Sequence, residues 1–240
     1  MKRHLKFIAW LGGIIAIVLL YAYPMNEVKD AWQTWSLPLT GKVIVLDPGH
    51  GGPDGGAVGA DDTLEKDIAL SVAKYLRDYL QQNGATVYMT REEDKDLAAE
   101  DTSGLSRRKS EDIRNRVALI HEKETDFFIS LHLNAIPSPE WSGAQSFYYP
   151  GQERSQDLAQ FIQAEIKRNL ENTTREAMAL NSMYLLKQAS VPGALVEIGF
   201  LSNVHERELL KTEDYQRKMA ASIYQGMLRY ATEEEYPEDS

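Results

Sequence analysis

Between residues 41 and 231, short apolar runs alternate with longer amphipathic stretches, and this alternation restricts the fold more than any other property of the chain. Val43-Ile44-Val45-Leu46 is a β-branched and aliphatic run closed by Pro48-Gly49. Ile68, Val72, Tyr75, Leu76, Tyr79 and Leu80 then recur at intervals of three and four, which predicts a helix face ending at Asn83-Gly84. Further strands are predicted at Thr86–Thr90, Phe127–Leu131, residues 145–149, Met183–Leu186 and Ala194–Glu197. Helices are predicted over residues 106–123 and 154–170 and along the face marked by Tyr215, Met219, Ile223, Met227 and Tyr230. Strands that are apolar throughout are covered on both faces. The expected fold is therefore α/β, a single-domain three-layer α/β/α sandwich around a twisted, mostly parallel sheet.

The ends of the chain differ from this tract. Lys2, Arg3 and Lys6 precede an uncharged stretch, Phe7 to Tyr23, so residues 1–23 read as a signal peptide or an N-terminal membrane anchor. The basic flank stays cytoplasmic and the rest is exported, secreted or membrane-anchored. Tyr21-Ala22-Tyr23 is a poor cleavage site, which leaves the uncleaved anchor open. Residues 24–40, with Pro24 and Pro38, read as a connector, 41–231 as a single domain, and 232–240 (TEEEYPEDS) as an acidic disordered tail. The sequence contains no cysteine, which excludes disulfides, thiolate metal sites and a cysteine nucleophile. A net charge of -10 provides no broad basic field for nucleic acid.

In open α/β sheets, chemistry collects beyond the carboxyl ends of the strands. His50 follows the first strand through the LDPGHGG turn, His132 follows Phe127–Leu131, and Glu197 ends the Ala194–Val196 run. Glu65 opens the first long helix, where a carboxylate is favoured electrostatically. Two histidines and a glutamate suit zinc with a fourth position left for water, and Glu197 then remains as an acid–base group. Taken singly, each residue also has a structural reading: a hydrogen-bonded histidine at a strand end, a charge–dipole partner at a helix start, a compensated carboxylate inside LVEIGF. The glycines of GHGGPDGGAVG lack the Gly-Lys-Ser/Thr of a nucleotide loop and fit better as places where backbone passes close to a metal ligand.

The motifs DPGHGGPDGG, LEKDIAL, TRE, FFISLHLNA and PGALVEIGFLSN occur in that order across residues 45–203. Together they resemble the zinc-dependent N-acetylmuramoyl-L-alanine amidases of the amidase-3 type. More narrowly, WSLPLTGK, SRRKSEDIR, HLNAIPS, WSGAQSFYYP and NLENTTR resemble the branch of that family that acts on spore-cortex peptidoglycan in sporulation and germination. The resemblance implies a phosphorylase/hydrolase-like α/β/α fold, a zinc ion bound by His50, Glu65 and His132, and Glu197 as the catalytic carboxylate. It implies hydrolysis of the amide between the muramic acid lactyl group and L-alanine, a step toward muramic δ-lactam completed by a deacetylase acting afterwards. The family has Ala-Asn where Ile120-His121 stands here, so His121 is read as a helix-surface or packing residue. Arg116 matches a family arginine, whereas Arg175 is offset and receives no role.

Other features stay open at this level. Trp141 either walls a groove or anchors a loop, and Asn134 either supports the site or closes a turn. Arg107-Arg108-Lys109 either meets peptidoglycan carboxylates or forms a solvated helix start, and His205 reads as a solvated helix start. With no appended wall-binding repeats, an activating protein partner is expected. Two alternatives remain: a zinc peptidase trimming wall peptides, and a non-catalytic peptidoglycan-binding module.

Overall fold

Residue parity along the strands decides which helices cover which face of the sheet. The computed structural model describes residues 10–15, 17–18, 37–152 and 154–232. Its strands are β1 (Val43–Pro48), β2 (Thr86–Met89), β3 (Phe127–Asn134), β4 (Gln145–Tyr148), β5 (Met178–Ala179) and β6 (Gly193–Phe200). Its helices are α1 (Glu65–Gln82), α2 (Leu105–Glu122), α3 (Ser155–Leu170), α4 (Tyr184–Gln188), α5 (Val204–Leu210) and α6 (Glu213–Ala231). On one face, Ile44 and Leu46 of β1, Phe127, Ile129 and Leu131 of β3, and Ala194, Val196 and Ile198 of β6 pack against α1, α3 and α6. On the other, the intervening residues Val45, Phe128 and Leu195 meet Val117 and Ile120 of α2 and Leu185 and Leu186 of α4. This is the expected three-layer α/β/α sandwich, with a thinner second face.

The strand order is β2-β1-β3-β6-β4-β5. β2, β1, β3 and β6 are mutually parallel, β4 runs antiparallel to β6, and β5 pairs parallel to β4, so the sheet is mixed at one edge. In register, Asp47 stands beside Ser130, and His132 beside Glu197. By parity these four polar residues continue the thinner face. There a cavity beside the carboxyl ends of β1 and β3 is walled by Lys109, Asp112, Ile113 and Arg116 of α2 and by Met183 and Leu185.

One expectation is corrected, and one strand was not expected. Met183–Leu186 is not a strand: Tyr184–Gln188 is helical, and Leu185 and Leu186 both lie against the second face. A four-residue apolar run cannot separate strand from buried helix by periodicity. The two-residue edge strand β5 carries too little pattern to be read in advance. The predicted N-terminal segment, connector and acidic tail lie largely outside the described residues. Chain contacts separate Met1–Leu37 from Pro38–Ser240. Within the first unit, residues 10–15 and 17–18 are helical and exposed. Among the described residues no helix is long and apolar enough to cross a membrane.

Gly226 tests the packing of α3 against α6. A Cβ there would stand 2.4 Å from Ile162 Cα. Helix propensity favours alanine over glycine by about 1 kcal/mol, whereas overpacking against backbone costs about 1–3 kcal/mol. Gly226→Ala is therefore expected to lower stability in urea unfolding. An increase in stability would show that the two helices do not approach this closely.

Candidate metal centre and active site

The site is built on a loop held by two buried arginines. β1 ends in Asp47-Pro48 and the chain turns through Gly49 and His50. Arg91 donates from Nε to the Pro48 carbonyl at 3.0 Å and from Nη2 to the Gly49 carbonyl at 2.8 Å. Arg116 donates from Nη1 to the Pro48 carbonyl at 2.9 Å and from Nη2 to the His50 carbonyl at 2.6 Å. Three successive carbonyls are thus fixed. The clamp holds His50 at φ 61°, a left-handed conformation that a side-chain-bearing residue adopts only when its surroundings impose it. Burying two guanidinium groups requires counter-charge. Asp47 pairs with Arg116 at 2.7 Å and Asp112 with its Nε at 2.9 Å, while Ser130 and Thr90 hydroxyls complete the Asp47 carboxylate at 2.6 and 2.8 Å. Burial alone would raise the Asp47 pKa, but the Arg116 charge and the Ser130 hydrogen bond outweigh it and keep the carboxyl ionised. Arg91, desolvated and beside Arg116, is brought down to about 10.

Arg91 also donates to the Lys66 carbonyl at 2.7 Å, so the same side chain ties the start of α1 to the loop. Glu65, the first residue of α1, is buried between the two histidines. Its Oε1 lies 2.9 Å from His132 Nδ1 and its Oε2 lies 3.2 Å from His50 Nε2. The backbone N–H groups of Ala57 and Leu133 donate to the same carboxylate at 2.7 and 2.9 Å. Burial opposes its charge, but the hydrogen bonds from His132 and His50 hold its pKa well below the usual carboxylate range. His50, in turn, is penalised by burial yet raised by Glu65 and by Asp54, whose Oδ2 lies 2.8 Å from His50 Nδ1. Potential donor atoms of His50, Glu65 and His132 all lie within 4.8 Å of one another, so the three can hold one metal ion. The set is nitrogen and oxygen only, the chemistry of zinc sites that keep an open position. Asp54, hydrogen-bonded to His50 Nδ1, is placed to orient that ring should it serve as a ligand.

The glycines of the loop serve close approach. A Cβ on Gly49 would lie 2.3 Å from His132 Cε1, and one on Gly56 would lie 2.5 Å from Glu65 Oε2. A Cβ at either position would push into the cluster of His50, Glu65 and His132.

Glu197 stands one strand from His132, paired with it in register. Its Oε2 is buried with no hydrogen-bond partner, and desolvation, reinforced by the Glu65 charge and opposed by His132, lifts its pKa to about 7. A buried carboxyl held between its two protonation states is suited to moving protons. A cavity of ≈ 80 Å³ on the β1 side is lined by His50, Asp54, Lys109, Arg116, His132 and Met183 among others. Arg108 is taken up by Asp96 at 2.6 Å, while Lys109 reaches Asp54 at 3.0 Å on the cavity rim.

The remaining residues resolve individually. His121 accepts from the Ser190 N–H at 3.2 Å on the surface, and His205 is exposed near the start of α5. Asn134 ends β3 and its carbonyl accepts from Leu201 N at 2.7 Å. Trp141 is half exposed beside Arg175 rather than packed in the core. Sequence reasoning assigned no role to Asp47, Arg91, Asp54 or Asp112. Their signal was weak: all lie in or near motifs with more conspicuous residues, and nothing local marks a charged side chain as buried.

With this geometry in hand, comparison with known proteins is decisive. Residues 44–229 match the family model described as N-acetylmuramoyl-L-alanine amidase, Amidase_3. The chain belongs to this amidase family. The amidase is 55% identical over 237 residues to the germination-specific N-acetylmuramoyl-L-alanine amidase of Bacillus subtilis, covering 99% of each chain. Among solved structures it resembles the CwlD amidase of Clostridioides difficile in complex with the GerS lipoprotein, with TM-score 0.77, 40% identity, and coverage of 79% of this chain and 98% of that one. It also resembles the catalytic domain of the amidase CwlV of Bacillus (Paenibacillus) polymyxa var. colistinus, with TM-score 0.69, 28% identity, and coverage of 79% and 97%.

The metal-free amidase carries a pH signature. Glu197 is protonated more readily when folded than when unfolded, so its contribution to stability is present at low pH and is lost as pH rises from about 4.5 through about 7. His50, also raised, acts in the same sense above 6.5. Glu197→Gln should flatten part of this decline in unfolding free energy measured with chelator between pH 5 and 8. An unchanged slope would mean Glu197 titrates normally.

Proposed function

We propose that the amidase hydrolyses the bond between the lactyl group of N-acetylmuramic acid and the L-alanine of peptidoglycan stem peptides, with zinc held by His50, Glu65 and His132. The observation that carries this reading is the unpartnered, buried Glu197 carboxyl beside a two-histidine, one-glutamate cluster. Zinc bound there would supply a Lewis acid that acidifies water and polarises the scissile carbonyl. Glu65, already ionised, and His50, oriented by Asp54, are disposed to serve as ligands. Glu197 takes the proton of the attacking water and delivers it to the departing alanine amine. A buried carboxyl oxygen with no hydrogen-bond partner is free to take up and release that proton. The products are a free stem peptide and a muramic acid with a free lactyl carboxyl group.

Several finer assignments follow from the relatives. The Bacillus subtilis relative is named as germination-specific, which supports spore-cortex peptidoglycan as the substrate. There, a deacetylase acting next would expose the sugar amine, and closure of that amine on the lactyl carboxyl gives muramic δ-lactam. The Clostridioides difficile amidase is seen in complex with a lipoprotein, which supports an activating partner of that kind here. Such work lies outside the cytoplasm, consistent with residues 1–23 acting as an export signal or anchor and with 41–231 as the catalytic domain.

The test is mass spectrometry of peptidoglycan treated with the protein, with zinc and with chelator. Peptides beginning with L-alanine, lost on chelation, are expected. Cleavage inside the stem peptide would reassign the enzyme as a peptidase. Glu197→Gln should retain zinc and lose about 10²–10⁴ in kcat, whereas His50→Ala and His132→Ala should lose the metal. Full metal occupancy in either histidine variant, or an active Glu197→Gln, would overturn the corresponding role.

A further inference from the structure

Strand β6 does not run evenly past the active end of the sheet. His132 pairs with Glu197 and Asn134 with Phe200, so Leu133 of β3 faces two residues of β6, Ile198 and Gly199. This is a β-bulge, a device that re-aims side chains and recurs beside active sites. It begins at the residue after Glu197. Glu197 Oε2 is buried without a hydrogen-bond partner, so no bond to that oxygen holds it, and the aim of the side chain comes from the backbone on either side.

That backbone is held by a residue outside the metal cluster. Glu206, in the first turn of α5, is 4% exposed and accepts from two main-chain N–H groups. Its Oε2 takes the Phe200 N–H at 2.8 Å, where β6 resumes its pairing with β3 after the bulge. Its Oε1 takes the Gly143 N–H at 2.8 Å, just before Gln145, which pairs with Glu197 from the β4 side. We propose that Glu206 is a positioning residue that holds the β6 bulge against the entry to β4 and so aims Glu197, a role that rests on the proton transfer assigned to Glu197 above.

Helix capping does not account for this carboxylate. Asn203 caps α5 by accepting from Glu206 N at 3.0 Å, and a glutamate at that position ordinarily returns a bond to the N-cap N–H. Here the Asn203 N–H donates to the Phe200 carbonyl at 3.2 Å, which leaves the Glu206 side chain to reach the two strands. Gly199 makes the reach possible: a Cβ there would lie 3.0 Å from Glu206 Cδ and Oε1. Arg175 grips the turn into β4 from its other side, donating from Nη1 to the Ser142 and Gly143 carbonyls, both at 2.7 Å. Burial raises the Glu206 pKa against the opposing pull of the Phe200 and Gly143 N–H groups. Both carboxylate oxygens are needed, because an amide would accept one N–H and turn its own NH2 toward the other.

The test compares the full-length protein with Glu206→Gln and Gly199→Ala. The first removes one acceptor, and the second displaces an intact carboxylate, so they disturb the bulge by different routes and either decides if the other fails to fold. In crystal structures of both, the Glu197 carboxyl is expected to move by about 1 Å or more relative to His132. Release of peptides beginning with L-alanine should lose about tenfold or more in kcat, with KM changed by less than about twofold and zinc still bound. Gly226→Ala, on the α3–α6 contact, is the control: it should lose stability and keep the wild-type kcat. An unmoved Glu197 in both variants would overturn the proposal. So would a kcat loss that Gly226→Ala reproduces at equal loss of melting temperature, or one that accompanies loss of zinc. A wild type that releases no such peptides defeats the amidase reading alone, because the position of Glu197 in the variants still decides this one.

Discussion

The clamp of Arg91 and Arg116 on the carbonyls of Pro48, Gly49 and His50 is the interaction on which the rest of the site depends. A parallel strand ends with outward-pointing carbonyls, and a loop that must turn back at once into a left-handed residue would not hold itself. Two guanidinium groups supply enough donors to fix it. They are affordable in a buried place only because Asp47 and Asp112 neutralise Arg116 and because Arg91 spends its donors on main-chain oxygens. Through Lys66, Arg91 also fixes the helix start that presents Glu65. Loop and helix are therefore positioned by one network, and His50 and Glu65 meet as a consequence.

Sheet register provides the other half of the geometry. His132 and Glu197 are neighbours on adjacent parallel strands, and parity puts both on the face that carries α2 and α4. The candidate metal cluster on the loop after β1, α1 and β3 is thereby set beside the Glu197 carboxyl on β6. Their environments push their carboxyls in opposite directions: Glu65, with two histidines and two backbone N–H groups, stays ionised, whereas Glu197, desolvated and unpartnered, is raised to about 7. Separation of two carboxyls by environment is how one site obtains both a ligand and an acid–base group.

Much of this was legible in the sequence. The apolar runs at 43–46, 127–131 and 194–197 and the three-and-four spacing from Ile68 to Leu80 give the central strands and α1 directly, because those elements are long or buried on both faces. His50, Glu65, His132 and Glu197 were legible because each ends a strand or opens a helix. The structure brings the first three into mutual contact and sets Glu197 beside His132 in register. Met183–Leu186 was misread because four apolar residues fit a buried helix turn as well as a strand. The roles of Arg91, Asp54 and Asp112 were not legible: Arg91 reaches the Pro48 and Gly49 carbonyls across 43 and 42 residues of chain, while Asp54 and Asp112 each act four residues from His50 and Arg116, side chains that only tertiary structure gathers at the site.

The central claim, that the clamped loop makes a three-ligand metal centre with Glu197 left free, is tested most directly by crystallography of the zinc-soaked protein with anomalous data at the zinc edge. The account predicts one strong peak bonded by His50, Glu65 and His132, at about 2.0–2.2 Å, with Glu197 close by but not a ligand. A peak held by Glu197, or elsewhere with Glu65 still bridging the two histidines, would contradict it.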